Sequence, residues 1–431
     1  MSRLGRLAKE GSWILIGQFA AIAGALALVR ILTEYLDAEQ YGQLALGLTV
    51  AALINQVVLG GISNGIGRFY SIAAERKDLG SYLLATRRLL LLATVVASGI
   101  GVLLTIGLLA AGYSKWIGLA GACLVFSILG GYNRALSNIQ NAARQRAIVA
   151  LHSGMDAWLK ILLVLGALLW FGTSGVAVVA AYALSSLLVT LSQLVFLRRT
   201  VPWQHLQSPN EIEFSHQMWA YSLPFASWSI FTGVQQISDR WALQVFASTA
   251  DVGQYAVLYQ LGYTPVALAT GMMVTFMGPI LYQRSGDATD STRNLNVHKL
   301  GWQMTHLALL GTLAAFAITS AIHEWLFSLL VAEEFRGVSY LLPWVVLAGG
   351  IFAAGQMLAL KLGSEMKPGV MTKPKIATAV LGVLLNVIGA AQAGMPGVVA
   401  ALIAFSVIFF IWIALLARNI VAEGEEKLGV I

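Results

Sequence analysis

Residues 29–46, VRILTEYLDAEQYGQLAL, join two long apolar stretches of the chain. The stretch before this segment runs to about residue 32, and the stretch after it runs from about residue 42 to 62. A bilayer core of about 30 Å needs roughly 20 apolar residues per helix. The acidic residues between the two stretches therefore predict the turn of a helical hairpin that crosses a membrane twice.

The whole chain has the composition of a membrane protein. Of its 431 residues, 58% are hydrophobic and only 11% are charged, and the mean hydropathy is +0.76. Soluble domains are about 25% charged, so this composition excludes a soluble enzyme. The net charge of +7 comes from basic residues scattered among apolar runs, which excludes a nucleic-acid-binding face. The sole cysteine, Cys123, lies in an apolar run, which predicts a small buried side chain without a disulfide.

Twelve apolar runs are long enough to cross a bilayer. The chain has 43 glycines and little strict alternation of apolar and polar residues, which favours closely packed helices over an outer-membrane barrel. The predicted spans lie near residues 12–32, 42–62, 88–111, 115–133, 149–170, 174–197, 218–240, 253–282, 301–323, 338–360, 375–393 and 396–417. We therefore predict an all-α polytopic membrane protein with twelve transmembrane helices.

The basic residues predict the orientation of these spans. Of 27 Lys and Arg residues, 22 fall in the connections on the side of the N-terminal tail, and only Lys115 and Arg336 fall on the other side. By the positive-inside rule, both termini are expected in the cytoplasm.

The chain contains a weak internal repeat. Gly42-Gln43-Leu44-Ala45 and Gly253-Gln254-Tyr255-Ala256 each open an even-numbered span, with an arginine twelve or thirteen residues upstream. We predict two parallel six-helix lobes around a central cavity: an N-terminal lobe over 1–200, a cytoplasmic connection over 201–217, and a C-terminal lobe with a short cytoplasmic tail over 218–431. Lobes related by an axis along the membrane normal are typical of transporters, with the substrate site between them.

No motif in the sequence predicts catalysis, a metal site or a cofactor. The chain lacks a phosphate-binding P-loop, a zinc helix of the H-E-x-x-H type and a D-x-D pair. Residues 61–65 match the G-x-S-x-G pattern of hydrolases, but they end an apolar helix instead of following a strand. We therefore expect a protein that is not an enzyme.

Three polar residues share one face of the fifth predicted span. His152, Asp156 and Lys160 follow each other at four-residue intervals, and Lys160 lies near the middle of the span. A charge at that depth costs at least about 2.5–3.5 kcal/mol on insertion scales. The stripe then either lines a hydrated cavity, where Lys160 binds an anionic group and Asp156 with His152 exchange a proton, or forms a Lys160–Asp156 pair that only fixes packing.

Three arginines are further candidates for substrate binding. Arg30 and Arg240 occupy equivalent places in the repeat, near the outer ends of the first and seventh spans. Arg134 begins a polar stripe at the cytoplasmic end of the fourth span. Each can instead be an interfacial residue whose charged end reaches the membrane surface.

An aromatic stripe is expected on the eighth span. Tyr255, Tyr259 and Tyr263 are spaced like the polar stripe, at four-residue intervals. Rings in that arrangement can stack on sugar faces, or they can pack against the core or lipid.

The opening of the chain resembles the polysaccharide exporter or lipid-linked oligosaccharide flippase family of the multidrug/oligosaccharidyl-lipid/polysaccharide exporter superfamily. The resemblance is carried by the quoted segment from residue 29 to 46, by the glycines at 60, 61, 65 and 67 leading to Arg68, and by Ser238-Asp239-Arg240. It implies transfer of an undecaprenyl-diphosphate-linked oligosaccharide across the membrane by alternating access, with membrane lipid and other polysaccharide-assembly proteins as partners. An ion gradient is the implied energy source.

Two other functions are compatible with a polytopic chain. A drug/cation antiporter of the same superfamily would hold more intramembrane carboxylates than amines, whereas this chain has Asp156 and Asp239 against Arg30, Lys160 and Arg240. A membrane glycosyltransferase or polymerase would need a sizeable extracytoplasmic loop, and the predicted connections on that side are short.

The predicted orientation can be tested by cysteine labelling. In a Cys123→Ala background, a cysteine introduced at Ser208 should react with a membrane-impermeant maleimide only after the cells are opened, because the 201–217 connection is expected inside. A cysteine in the 324–337 connection should react in intact cells and serves as the control. Labelling of position 208 from outside would overturn both the topology and the parallel repeat.

Overall fold

The computed structural model describes residues 3–200, 211–285, 291–364 and 371–426, and these ranges contain helices and no strand. The α-helices are α1 (Arg3–Tyr35), α2 (Ala38–Ile54), α3 (Gly61–Glu75), α4 (Leu79–Ala110), α5 (Ile117–Ala142), α6 (Arg146–Phe171), α7 (Gly175–Thr200), α8 (Glu211–Phe246), α9 (Thr249–Ser285), α10 (Ser291–Leu330), α11 (Leu342–Ser364) and α12 (Thr372–Glu426). A π-helical segment, Asn55–Gly60, joins α2 to α3, and 3₁₀ segments precede α5 and α11.

The helices confirm an all-α membrane protein. Ten helical segments of the described chain are long and apolar enough to cross a membrane, judged by length and composition. The last of them, Thr372–Arg418, holds two helices across a break in α12. Counting those two helices separately and adding α8, which covers the predicted seventh span, gives the twelve spans predicted from the sequence.

The chain divides into two compact units, Met1–Gly233 and Val234–Ile431. The division falls inside α8, because Phe214 and Met218 are buried in the core of unit 1 with Tyr82 of α4 and Ile66 of α3. The two-lobe arrangement and the 201–217 connection stay predictions, since residues 201–210 lie outside the described residues.

Small residues bring α1 and α6 of unit 1 into close contact. A Cβ atom added at Gly17 would lie 2.8 Å from the Cβ of Ala150, and one added at Gly24 would lie 2.9 Å from the Cβ of Ala157. Such small-residue contacts let helix backbones approach in a membrane, where the hydrophobic effect does not drive helices together. This contact fixes the position of α6, which carries the predicted polar stripe.

Hydrogen bonds hold the continuous helix formed by α2, the π-helical segment and α3 at two places, the start of α2 and the π-helical segment. Asp37 caps α2 with Gln40 in a capping box, whose Gln40 N–H donates to the Asp37 carboxylate at 2.7 Å. At the π-helical segment, the Asn55 amide donates to the Ser127 carbonyl on α5 at 2.8 Å, and the Ser127 hydroxyl donates to the Ala51 carbonyl at 2.9 Å. Single π-helical turns are frequent at functional sites, and this one is held by side chains of α5.

The break in α12 separates the last two spans. Ala393 leaves helical geometry, and Gly394 has φ of +59°, in the left-handed region that favours glycine. Pro396 then begins the second helix, where its missing N–H needs no partner. The sequence predicted this boundary between residues 393 and 396, and the structure confirms it.

Lys361 is buried between helices. The sequence places it just after the tenth predicted span, near residues 338–360, but α11 continues to Ser364 and Lys361 is fully buried in its last turn. Its stem crosses Gly301 of α10, where an added Cβ would lie 2.9 Å from the Lys361 Cγ. A glycine on α10 thus makes room for a long side chain between helices.

The hairpin of α12 should be sensitive to added bulk at Gly397. A Cβ atom there would overlap the backbone carbonyl of Gly389 on the preceding helix, which cannot move as a side chain can. We expect Gly397→Ala to lower the stability of the detergent-solubilised protein by about 1–3 kcal/mol, as overpacking does. The measurement is the thermal unfolding midpoint.

Gly311→Ala on α10 is the matched control, because an added Cβ at Gly311 has no atom within 4 Å. It should leave the midpoint unchanged or raise it, since alanine is the better helix former. Equal midpoints for the two variants would contradict the close approach of the helices.

Candidate functional site

The first candidate site is the charge pair on α6 in unit 1. The Lys160 ammonium donates to the Asp156 carboxylate at 2.5 Å, with side-chain exposures of 20% and 28%. The other carboxylate oxygen of Asp156 accepts from the Ser185 hydroxyl of α7 at 3.1 Å. The predicted Lys160–Asp156 pair is therefore formed, and the Ser185 hydroxyl of α7 holds the Asp156 carboxylate in place.

Two aromatic rings complete the surroundings of Lys160. Its Nζ lies 5.6 Å from the ring centroid of Phe126 on α5 and 5.7 Å from that of Tyr182 on α7. Aromatic faces attract a cation electrostatically within about 6 Å. Lys160 thus sits in a box of one carboxylate and two rings supplied by three helices.

His152 lies one turn away on the same helix and is almost fully buried. Its Nδ1 is 2.8 Å from the Ile148 carbonyl, and its Nε2 is 3.1 Å from the Ser192 hydroxyl of α7. Phe196 packs edge-on against its ring at 5.3 Å. The stripe predicted from spacing therefore faces α7 throughout, but His152 uses different α7 partners from those of Asp156 and Lys160.

The second candidate site, in unit 2, brings together the predicted binding residue Arg240 and the predicted tyrosine stripe. Arg240 of α8 lies beside Asp239, with its Nη1 3.3 Å from a carboxylate oxygen, and the two side chains are 14% and 5% exposed. The second oxygen of Asp239 accepts from the Tyr255 hydroxyl of α9 at 2.9 Å. Tyr255 is fully buried, so this tyrosine of the aromatic stripe holds the acid.

The other two tyrosines of the stripe, Tyr259 and Tyr263, form a stack that begins at the Arg240 guanidinium. Arg240 lies 4.5 Å above the ring centroid of Tyr259, a stacking distance. Tyr259 stacks in turn on Tyr263, with centroids 4.6 Å apart and planes inclined by 19°. Both rings are partly exposed, in contrast to Tyr255. The result is a continuous ladder of one cation and two aromatic faces, which we call the Arg240 ladder.

Arg30 and Arg134 have different surroundings. Arg30 pairs with Glu34 one turn along α1 at 2.9 Å, and these side chains are 40% and 56% exposed. Arg134 of α5 is exposed and lies beside Gly60, the end of the π-helical segment. The repeat made Arg30 and Arg240 equivalent, yet Arg240 is buried among tyrosines whereas Arg30 is not.

The residues missed in the sequence come mostly from neighbouring helices. Asp239 was counted as a membrane carboxylate but not assigned to a site, although its position next to Arg240 was a usable signal. Ser185, Phe126 and Tyr182 carried no signal, because only helix packing brings them to Lys160. Within the described ranges, no three His, Cys, Asp or Glu side chains are grouped to hold a metal ion.

The fold is similar to that of solved membrane transporters. An inward-facing multidrug resistance MATE family transporter of the MOP superfamily superposes with a TM-score of 0.68 at 14% identity, covering 96% of each chain. The lipid II flippase MurJ in an inward closed conformation gives 0.69 at 12% identity, covering 95% of this chain and 87% of that one. A mutant of the Vibrio cholerae MATE transporter VcmN gives 0.59 at 14% identity, covering 96% and 98%.

Family comparison gives a sequence-level assignment, although no curated protein matches the chain. The family model described as polysaccharide biosynthesis protein matches residues 7–283, which is more than half of the 431 residues. The chain therefore belongs to the polysaccharide biosynthesis protein family, and its fold is similar to that of MOP-superfamily transporters.

Proposed function

We propose that this protein is a flippase that moves an undecaprenyl-diphosphate-linked oligosaccharide from the cytoplasmic to the periplasmic leaflet by alternating access. The cargo is the repeat unit of an O-antigen, capsule or exopolysaccharide. The observation that carries the proposal is the Arg240 ladder, which places a fixed cation 4.5 Å from one tyrosine ring and a second ring 4.6 Å beyond it.

The chemistry of the ladder matches the two parts of such a cargo. A guanidinium binds phosphate oxygens in a bidentate manner and stays charged at any physiological pH. Tyr259 lies between the guanidinium and Tyr263, so the partly exposed edges and the hydroxyls of these two rings are what the ladder offers to sugar rings. A diphosphate followed by a glycan is a ligand that needs both features in this order.

Lys160 supports the proposal from unit 1, because its partner is titratable. While Asp156 is ionised, it neutralises the ammonium at 2.5 Å and competes with any anion. Proton uptake by Asp156 would remove that competition and leave Lys160, in its aromatic box, able to bind a phosphate. We propose that this exchange links a proton to cargo binding, with buried His152 as the nearest further titratable group on α6.

The exposed arginines complete the proposed substrate path. Arg134 is exposed at the end of the π-helical segment, and Arg30 is 40% exposed and paired with Glu34. An exposed ion pair contributes about 0–1 kcal/mol, so Glu34 is readily replaced by a phosphate. We propose that both residues bind the diphosphate at earlier or later stages, in a bacterial inner membrane with both termini in the cytoplasm.

A drug/cation antiporter is the second candidate, since MATE transporters share the fold and since Asp156 and Asp239 each lie beside aromatic rings. An organic cation could take the place of Lys160 or Arg240 in these boxes. The two candidates predict opposite effects of removing Lys160. Its loss weakens binding of a diphosphate but leaves a net negative site that strengthens binding of a cation.

We expect Lys160→Gln to abolish most export of the lipid-linked glycan, whereas Lys160→Arg retains part of it. Arginine still binds phosphate, while glutamine can hydrogen-bond to Asp156 but carries no charge. The measurement is glycan export in a strain that lacks its own exporter, with protein abundance in the membrane as the control. Increased binding of a fluorescent organic cation by Lys160→Gln, with unchanged export, would favour the antiporter.

A double variant separates transport from packing at the same pair. If Lys160 only neutralises Asp156, Lys160→Leu with Asp156→Leu should fold and export normally, because no unpaired charge is left. Our proposal predicts a folded double variant without export. Full export by an abundant double variant would show that Lys160 and Asp156 take no part in transport.

Changes to the ladder should alter which glycan is exported. Tyr259→Leu and Tyr263→Leu keep apolar bulk but remove the aromatic faces, so we expect the export of different glycans to fall by different factors at equal protein abundance. The matched controls are Tyr259→Phe and Tyr263→Phe, which keep the stack and should preserve the preference.

Tyr255 is tested separately, because its ring is fully buried and its hydroxyl donates to Asp239. Tyr255→Phe removes only the hydroxyl that donates to Asp239 and should lower export of all glycans alike. Equal export of every glycan by the Tyr259→Leu and Tyr263→Leu variants would show that these two rings only pack against their neighbours.

A further inference from the structure

A second basic region lies where α10, α11 and α12 of unit 2 pack against one another. These helices contain no Asp or Glu in residues 291–323, 342–364 and 372–418. The same stretches carry Arg293, Lys299, Lys361, Lys373, Lys375 and Arg418. All six lie at the ends of the helices that the charge pattern places on the cytoplasmic side. The acidic residues nearest to these ends in the sequence are Glu365, just after α11, and Glu423, Glu425 and Glu426, in the last turns of α12.

Two of the cations come together at the end of the second helix of α12. The Lys361 ammonium is 3.5 Å from the carbonyl oxygen of Ala417, the residue before Arg418. Lys361 reaches this place through the gap left by Gly301, so the ammonium cannot move far from it. Lys361 is fully buried behind the exposed Arg418, so it adds positive potential there without contacting an anion at the surface.

Trp302 of α10 positions Arg418. The Arg418 guanidinium carbon is 5.4 Å from the centroid of the indole, a cation–π distance. Trp302 itself is packed against the core of α11 and α12. His298 and His306 flank the indole at centroid distances of 6.3 and 5.8 Å, so two further nitrogen-bearing rings border the same place.

Apolar surface leads from this basic end toward the middle of the helices. On α12, Ile411, Leu415 and Arg418 follow at intervals of four and three residues and are all exposed. On α10, Leu310 and Leu313 lie four and seven residues after His306 and are also exposed. A basic end followed by an exposed apolar track matches the shape of a lipid with an anionic headgroup.

We propose that Arg418, supported by Trp302, Lys361 and His306, binds the phosphate of an anionic membrane phospholipid whose acyl chains lie along α10 and α12. Basic pockets between transmembrane helices at the cytoplasmic surface bind such headgroups. The site involves none of the residues assigned to the cargo, and the proposal does not rest on the proposed function. The apolar track favours a lipid over a soluble phosphate.

The test is lipid binding to the purified full-length protein, followed by native mass spectrometry with added phosphatidylglycerol or phosphatidylcholine. We expect a clear preference for phosphatidylglycerol in the wild type. Arg418→Gln should weaken phosphatidylglycerol binding about tenfold, the loss typical of one charged hydrogen bond, and Arg418→Lys should restore much of it. Binding of phosphatidylcholine should be the same in all variants.

Arg284→Gln is the matched control, because Arg284 is an exposed arginine at the end of α9 in the same unit. It should bind phosphatidylglycerol like the wild type. Millimolar inorganic phosphate should not displace the lipid. Unchanged binding in Arg418→Gln, the absence of headgroup preference, or displacement by inorganic phosphate would each overturn the lipid site.

Discussion

A charge inside a membrane must be neutralised by its neighbours, because the hydrocarbon core offers no water to solvate it. Lys160 meets this constraint with Asp156 and two rings, and Arg240 meets it with Asp239 and two tyrosines. Each arrangement needs several helices held at fixed distances. The close contact of α1 with α6 at Gly17 and Gly24 is one such condition, since it fixes the helix that carries Lys160.

The neutralisation of Lys160 differs chemically from that of Arg240. The Lys160–Asp156 pair joins a partly exposed carboxylate to a compact ammonium on the same helix. Arg240 keeps its charge, and the nearly buried Asp239 is held on both oxygens, by the arginine and by Tyr255. The pair in unit 1 is therefore suited to exchange partners, whereas the Arg240 ladder is suited to present a constant surface.

The sequence predicted features that depend on neighbours along one helix. The spans, the Lys160–Asp156 pair and the break at Gly394 follow from apolar run length, four-residue spacing and the properties of glycine and proline. Contacts between helices left no pattern to read, so Phe126, Tyr182 and Ser185 were missed. The burial of Lys361 was missed for a related reason, because Gly301 on another helix gives its side chain room.

The exposed and the paired cations differ in whether an arriving phosphate meets a carboxylate. Arg134 and Arg418 are exposed, and within the described residues neither forms an ion pair, so a phosphate can bind to them without replacing a carboxylate. At Lys160 and Arg240 a carboxylate is already in place, so an arriving anion competes with it. Binding at the exposed arginines is then favoured by charge alone, whereas binding at the two ion pairs depends on what happens to the carboxylate. This competition is the reason why we propose that a proton taken up by Asp156 accompanies the cargo at Lys160.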